Sequence, residues 1–248
     1  LVAVNSINWA RIMMQIVYYF SSALKLGAPD KAVSFSVPTG NFGDIYAGYL
    51  AKRLGLPIKQ LVVATNSNDI LHRFISANEY STADLEHTFS PSMDILVSSN
   101  FERYLFELFD RDAEALCEFM SKLGKESQQV SDEKWQQLRE MFCSARVDDT
   151  HTCETIAKVF KDSGKLVDPH TAVGIRAARD CNADPTTAMI TLSTAHPAKF
   201  SDAITEAGLD TPELPAHLAD LFEMEEHYTV VSNELSAVTD FVKKHVHN

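Results

Sequence analysis

The 248 residues are 45% hydrophobic and 23% charged, an ordinary globular balance in a chain long enough to bury a core without disulfide or metal staples. A formal net charge of −12 argues against broad nucleic-acid affinity, which needs clustered Lys and Arg. No apolar run reaches membrane-spanning length, so neither nucleic acid nor membrane is expected as a partner.

The chain opens on Leu1-Val2-Ala3-Val4, which reads as the middle of a strand with no Met before it; a fragment of a longer protein is expected. After Asn5-Ser6, helical spacing runs from Trp9 to Leu26, with Ile12, Ile16, Tyr19 and Leu24 near one face, and Gly27-Ala28-Pro29-Asp30 ends it. A buried strand over 32–37 is followed by Pro38-Thr39-Gly40-Asn41-Phe42-Gly43-Asp44 and a helix over 44–54. Gly55-Leu56-Pro57 stops that helix, Ile58 to Ala64 reads as a second buried strand, and Asn66 to Asp69 offer caps for a helix ending near Ala77.

From Asn100 to about Ser144 the pattern is helical and charged, an inserted helical section over 100–145. Helices over 151–162 and 170–180 come next, the second opened by Asp168-Pro169-His170-Thr171 with Pro well placed at the N-terminus. Thr187 to Leu192 is a strand, Ser193-Thr194-Ala195-His196-Pro197 its turn, and helices close the chain around the proline-bearing segment 211–215. Near-continuous apolar strands alternating with helices predict an α/β fold, its mostly parallel sheet covered by helices on both faces, with 1–248 as one large domain.

The chemistry centres on Gly40 to Asp44. Two glycines and an Asn between a buried strand and a helix start suit an anion: free N–H groups point outward, the helix dipole favours negative charge, and glycines permit positive φ and close approach. No Lys-Ser/Thr follows Gly43, so the loop is not a Walker loop, and it is not G-x-G-x-x-G. By itself it equally fits a ligand-free strand-to-helix turn. Thr194 stands at a strand's carboxyl end, where α/β sheets bind ligands, and offers a neutral hydroxyl; the alternative is a strand-end hydroxyl bonded to its own backbone. For His196 a buried, satisfied imidazole is favoured over acid–base work.

Asn5, Ser6, Asn8 and Arg11 combine capping side chains with a guanidinium suited to gripping phosphate. Spacing alone favours capping. Asp148-Asp149 with His151, Cys153 and Glu154 reads as an acidic helix start, so no metal is expected. The four cysteines, Cys117, Cys143, Cys153 and Cys181, form no CxxC pair and read as reduced thiols of a cytoplasmic protein.

Taken together, Asn5-Ser6-Ile7-Asn8, Val37 to Asp44, Asp168 to Ala172 and Thr194-Ala195-His196-Pro197-Ala198-Lys199-Phe200 closely resemble, in this order, the bacterial and fungal threonine synthases, from Asn5 to at least Phe200. The resemblance implies the tryptophan-synthase-like fold (fold type II) and pyridoxal 5′-phosphate as cofactor. It implies that Gly40, Asn41, Phe42 and Gly43, with Asp44 beside them, hold the cofactor phosphate and that Thr194 meets the pyridine nitrogen. It also implies that Asn5 and Arg11 face the phosphate of the substrate, O-phosphohomoserine, which a β,γ-replacement with water turns into L-threonine.

The family's Schiff-base lysine lies in a Ser-Phe-Lys-Asp-type motif that is absent here, and the resemblance makes Lys199 structural. No catalytic residue is therefore expected in this chain. The expectation is a carboxyl-terminal part of the enzyme, inactive alone, whose partner is the missing amino-terminal part. The alternatives are a non-catalytic or truncated cofactor-binding module, and another lyase of the same fold such as a serine/threonine dehydratase, whose Ser-Gly-Gly-Gly-Gly-type loop is absent.

Overall fold

The computed structural model describes residues 5–182 and 184–246; the strand expected over 1–4 lies outside them. The chain divides into two compact units, Leu1–Pro212 and Glu213–Asn248. The smaller contains one α-helix, Leu235–Val246, and two short 3-10 turns, Ala216–Leu218 and Leu221–Glu223, among its described residues.

The larger unit is built on four parallel strands, β1 (Val33–Pro38), β2 (Ile58–Thr65), β3 (Phe142–Arg146) and β4 (Ala188–Thr191), in the order β3-β2-β1-β4. Strand alternation divides the core. Val33, Phe35, Val37, Leu61 and Val63 face one apolar cluster, whereas Val62, Ala64 and Ala145 face another. On the first side lie α1 (Trp9–Lys25), α2 (Gly43–Arg53), α3 (Ile70–Ala77) and α4 (Phe101–Leu108), which bring Tyr19, Ile45, Phe74 and Leu105 into the first cluster. On the second, α8 (Pro169–Asp180) contributes Val173 and Ala177. Between them in sequence come α5 (Ala113–Lys122), α6 (Asp132–Met141) and α7 (Asp149–Ser163).

Two local expectations need correction. Residues 100–145 are helical only through Met141, because Phe142–Arg146 form β3 and pair with β2 from Leu61↔Phe142 to Thr65↔Arg146. Phe-Cys-Ser-Ala-Arg has no β-branched residue, so its strand character comes from pairing rather than propensity. In α1 the buried stripe is Ile12, Tyr19 and Ala23, with Ile16 half-buried, and Leu24 is 57% exposed.

The order of strands locates the site. From β1 the chain proceeds outward through β2 to β3, and then β4 is added on the other flank of β1. That reversal makes the carboxyl ends of β1 and β4 a topological switch point, where the two following loops part and leave a crevice. The two strands stay in register to Ser36↔Thr191, and Leu192 N–H continues the ladder onto Ser36 O at 3.0 Å.

Candidate anion and cofactor site

Thr39 follows β1, with its N–H on Ala64 O (2.8 Å) and its hydroxyl on Val37 O (2.6 Å). The loop that follows is fastened by its carbonyls: Ser98 Oγ donates to Gly40 O (2.8 Å) and Asn100 N–H to Asn41 O (3.0 Å). Ser98 and Asn100 are fully buried, and Asn100 Nδ2 also donates to Ser6 O at 2.9 Å. Among the described residues the N–H groups of Gly40, Asn41 and Phe42 meet no protein acceptor. Those of Gly43, Asp44 and Ile45 belong to the first turn of α2, where no intrahelical carbonyl can reach them. The loop therefore presents a set of free donors at a helix N-terminus, the arrangement that accepts an anion.

The glycines work differently from the sequence expectation. The left-handed residue is Phe42, with φ 61°, and neither Gly40 nor Gly43 has positive φ. The Phe42 ring, packed 4.9 Å from Phe101 and 5.5 Å from Phe142, holds that conformation against its steric cost, about 1–2 kcal/mol. The glycines instead allow close approach. A Cβ on Gly40 would meet Ser92 O at 2.9 Å and Met93 Cα at 3.1 Å, and one on Gly43 would meet Asn100 Nδ2 at 3.2 Å.

The free donors face a cavity of about 140 Å³ lined by Ser6, Arg11, Gln15 and residues 38–45. A second hollow, about 660 Å³, is lined by Arg11, Gln15, Tyr18, Ser22, Asp44 and residues 190–194. Arg11, Gln15 and Asp44 belong to both, so the two form one trough with the amide loop at one end and Thr194 at the other. One face of α1 walls it: Arg11, Gln15, Tyr18 and Ser22 follow i, i+4, i+7, i+11 spacing, next to the stripe that enters the core. Gln15 escaped the sequence reading, although its position four residues after Arg11 is the signal that finds it. Ser98 and Asn100 escaped it too, since nothing local ties them to a loop more than fifty residues earlier.

Asp44 lines the trough but is committed to α1. Its Oδ1 accepts from the hydroxyls of Tyr18 and Tyr19, and Tyr19 OH also donates to its carbonyl at 2.9 Å. Burial raises its carboxyl above the ordinary 3.8, while the two hydroxyls pull it back down. Burial and the neighbouring Asp44 charge raise both tyrosines, so they remain neutral donors. The shift has a testable sign. The folded protein keeps the Asp44 proton at pH values where the unfolded chain has released it, so this contribution to stability is complete below 3.8 and is lost as pH climbs through the raised folded value. In urea melts between about pH 4 and about pH 7, wild type loses stability relative to Asp44→Asn as pH rises; parallel profiles would remove Asp44 from this role.

The remaining candidates divide. Arg11 lines both hollows, whereas Asn5 lines neither; its Oδ1 accepts from Ile7 N–H at 3.2 Å and shapes the turn that places Ser6 in the wall. Asn8 caps α1 through Ala10 N–H (3.0 Å). Thr194 is exposed at the far end of the trough. His196 is satisfied but not buried, since its Nδ1 accepts from Ala198 N–H at 3.2 Å on an exposed turn. Lys199 lies outside, its Nζ 5.5 Å from the Phe200 ring, and among the described residues no lysine lines either hollow. Asp148 caps α7 through His151 N–H (2.9 Å) and binds His151 Nδ1, which accounts for that acidic cluster.

Asp168 supports the site from behind. Fully buried, it accepts from His170 N–H (2.9 Å), His170 Nδ1 (2.9 Å) and the Thr171 hydroxyl. His170 Nε2 then accepts from Ser92 N–H at 3.2 Å, which fixes the Nδ1–H tautomer and holds the backbone against which Gly40 packs.

Comparison with known proteins decides the family. A family model described as "Threonine synthase, C-terminal" matches residues 171–242. The threonine synthase of Pseudomonas aeruginosa is 59% identical over 99% of this chain and 53% of its own length. The chain belongs to the threonine synthase family. It spans about half the length of the curated threonine synthases it matches. Among solved structures, PLP-bound threonine synthase from Brucella melitensis superposes with a TM-score of 0.91 at 51% identity, covering 99% of this chain and 53% of that one. Yeast threonine synthase gives 0.87 at 38%, covering 99% and 54%. The fold is accordingly that of the fold type II pyridoxal-phosphate enzymes, as the threonine synthase motifs imply.

Proposed function

We propose that this chain supplies the phosphate cradle and ring-nitrogen contact for pyridoxal 5′-phosphate in a cytoplasmic threonine synthase that converts O-phospho-L-homoserine and water to L-threonine and phosphate. The observation that carries the reading is the single trough with unpaired backbone donors at one end, a neutral hydroxyl at the other and one guanidinium between. The fit to the cofactor is chemical as well as spatial. The carbonyls of Gly40 and Asn41 are already engaged by Ser98 and Asn100, so the loop turns only donors to a phosphate. Tyr18 and Tyr19 hold Asp44, the one carboxylate in the wall among the described residues, which limits its repulsion of an anion.

Gly40, Asn41, Phe42 and Gly43 hold the cofactor phosphate, with Asp44 buttressing the helix start behind them. Pyridoxal phosphate supplies, when bound, an electron sink for carbanions of the amino-acid substrate. Thr194 faces its ring nitrogen, and a hydroxyl there, unlike a carboxylate, does not hold that nitrogen protonated. Arg11 takes the phosphate of O-phosphohomoserine as a forked donor, and Asn5 shapes the turn that brings Ser6 beside it. The Schiff-base lysine belongs to the other half of the enzyme, in keeping with the lysine-free walls of the trough. That half also covers the outer face of α1, where Trp9, Met13, Met14 and Val17 are exposed side by side.

A non-catalytic module is the competing reading, and turnover separates the two. The protein as its gene encodes it is expected to form threonine and release phosphate from O-phosphohomoserine with pyridoxal phosphate, and the 248-residue chain alone to form none. Normal turnover by the isolated chain would refute the assignment of the lysine elsewhere, and none by the encoded protein would favour the module.

A further inference from the structure

Away from the trough, Cys143 and Cys181 are brought together from 38 residues apart, with their sulfurs at 2.7 Å. That is well inside van der Waals contact and not far beyond an S–S bond of about 2.05 Å. Cys143 is the second residue of β3, paired with Val62, and Cys181 ends α8 with its N–H on Ala177 O at 2.9 Å. The two thiols differ in setting. Cys143 is half-buried, whereas Cys181 is 8% exposed among Val62, Val173 and Ala177. The thiol of Cys143 is pushed down to about 7, chiefly by its hydrogen-bond contact with Cys181 and further by the Ser144 backbone and Arg139, while Cys181 is raised by the same contact and by burial. Neither remaining cysteine has such a partner: Cys117 is exposed, and the Cys153 thiol points at Ala203 O.

We infer that Cys143 and Cys181 form a reversible disulfide by exchange with a low-molecular-weight disulfide. This inference stands independently of the proposed activity. Cys143 releases its proton to solvent and its thiolate attacks one sulfur of the small disulfide, breaking that S–S bond and expelling one thiolate, which takes up a proton. Cys181 then loses its proton and attacks Cys143 Sγ, expelling the second small thiol. Two protein thiols are oxidised to one disulfide and the small disulfide is reduced to two thiols. The bond ties edge strand β3 to the end of α8, the helix whose other end carries the Asp168–His170 support of the site.

The test uses the protein as its gene encodes it, equilibrated with oxidised glutathione, alkylated with N-ethylmaleimide and peptide-mapped by mass spectrometry. The expected result is a crosslink between the peptides holding Cys143 and Cys181, reversed by dithiothreitol, with a melting temperature raised by about 5 °C. In Cys181→Ala, glutathione stays on Cys143, because no thiol remains to expel it. The proposal is overturned if both cysteines of the wild type are alkylated after this treatment. It is equally overturned if wild-type Cys143 keeps the glutathione while Cys181 is alkylated.

Discussion

Replacing Arg11 with Ala is expected to raise KM for O-phosphohomoserine about 10- to 100-fold while pyridoxal phosphate still binds. Among the described residues Arg11 is the one cation lining both hollows, and it stands on the polar face of α1 rather than on the amide loop. Hydrogen bonds to charged groups contribute about 1.5–3 kcal/mol each, which sets that range. On the proposed assignment the cofactor phosphate is spared, because the donors assigned to it are backbone N–H groups that this substitution leaves in place. Arg11→Lys retains charge but loses the planar fork, and an intermediate KM is expected. Steady-state kinetics alongside cofactor titration by absorbance separates the two phosphates; an unchanged KM in Arg11→Ala would take Arg11 out of the substrate site.

The second large effect is at Gly40. An alanine methyl there would lie 2.9 Å from Ser92 O and 3.1 Å from Met93 Cα, both backbone atoms. That wall cannot retreat easily. Ser92 N–H is held by His170 Nε2, Met93 N–H bonds Ser90 O at 2.9 Å, and the Met93 side chain is buried. The loop must move instead, with loss of the Ser98 bond to Gly40 O and of the aim of the free N–H groups. Gly40→Ala is expected to cost about 1–3 kcal/mol of stability and to weaken pyridoxal phosphate binding at least tenfold. Gly43→Ala should do less, since its nearest contact is the Asn100 side-chain amide at 3.2 Å. Urea melts and cofactor titrations of both variants check the ranking, and equal behaviour of the two would contradict it.

What the sequence disclosed follows from where its information is local. β1, β2 and β4 were legible as apolar runs punctuated by Gly and Pro, and α8 as a Pro-led helix behind Asp168, whose carboxylate does accept from the His170 and Thr171 N–H groups. β3 was not legible, because Phe142 to Arg146 owe their extended form to β2. The amide loop could be found from its glycines, but the reason for those glycines lay elsewhere. The wall that excludes a Cβ from Gly40 comes from residues 92 and 93, and the aromatic packing that holds Phe42 left-handed comes from Phe101 and Phe142. Such contacts are set by tertiary structure and leave no mark at the loop itself. Arg11 with Gln15 lies between these cases, since helical spacing puts both on one face but only the fold turns that face toward β1 and β4.

The most direct test is a crystal structure of the protein, as its gene encodes it, grown with pyridoxal 5′-phosphate. Phosphate oxygens are expected on the N–H groups of Gly40, Asn41, Phe42 and Gly43, and the ring nitrogen at the Thr194 hydroxyl. A cofactor phosphate bound at Arg11, with the amide loop left to solvent, would contradict this assignment.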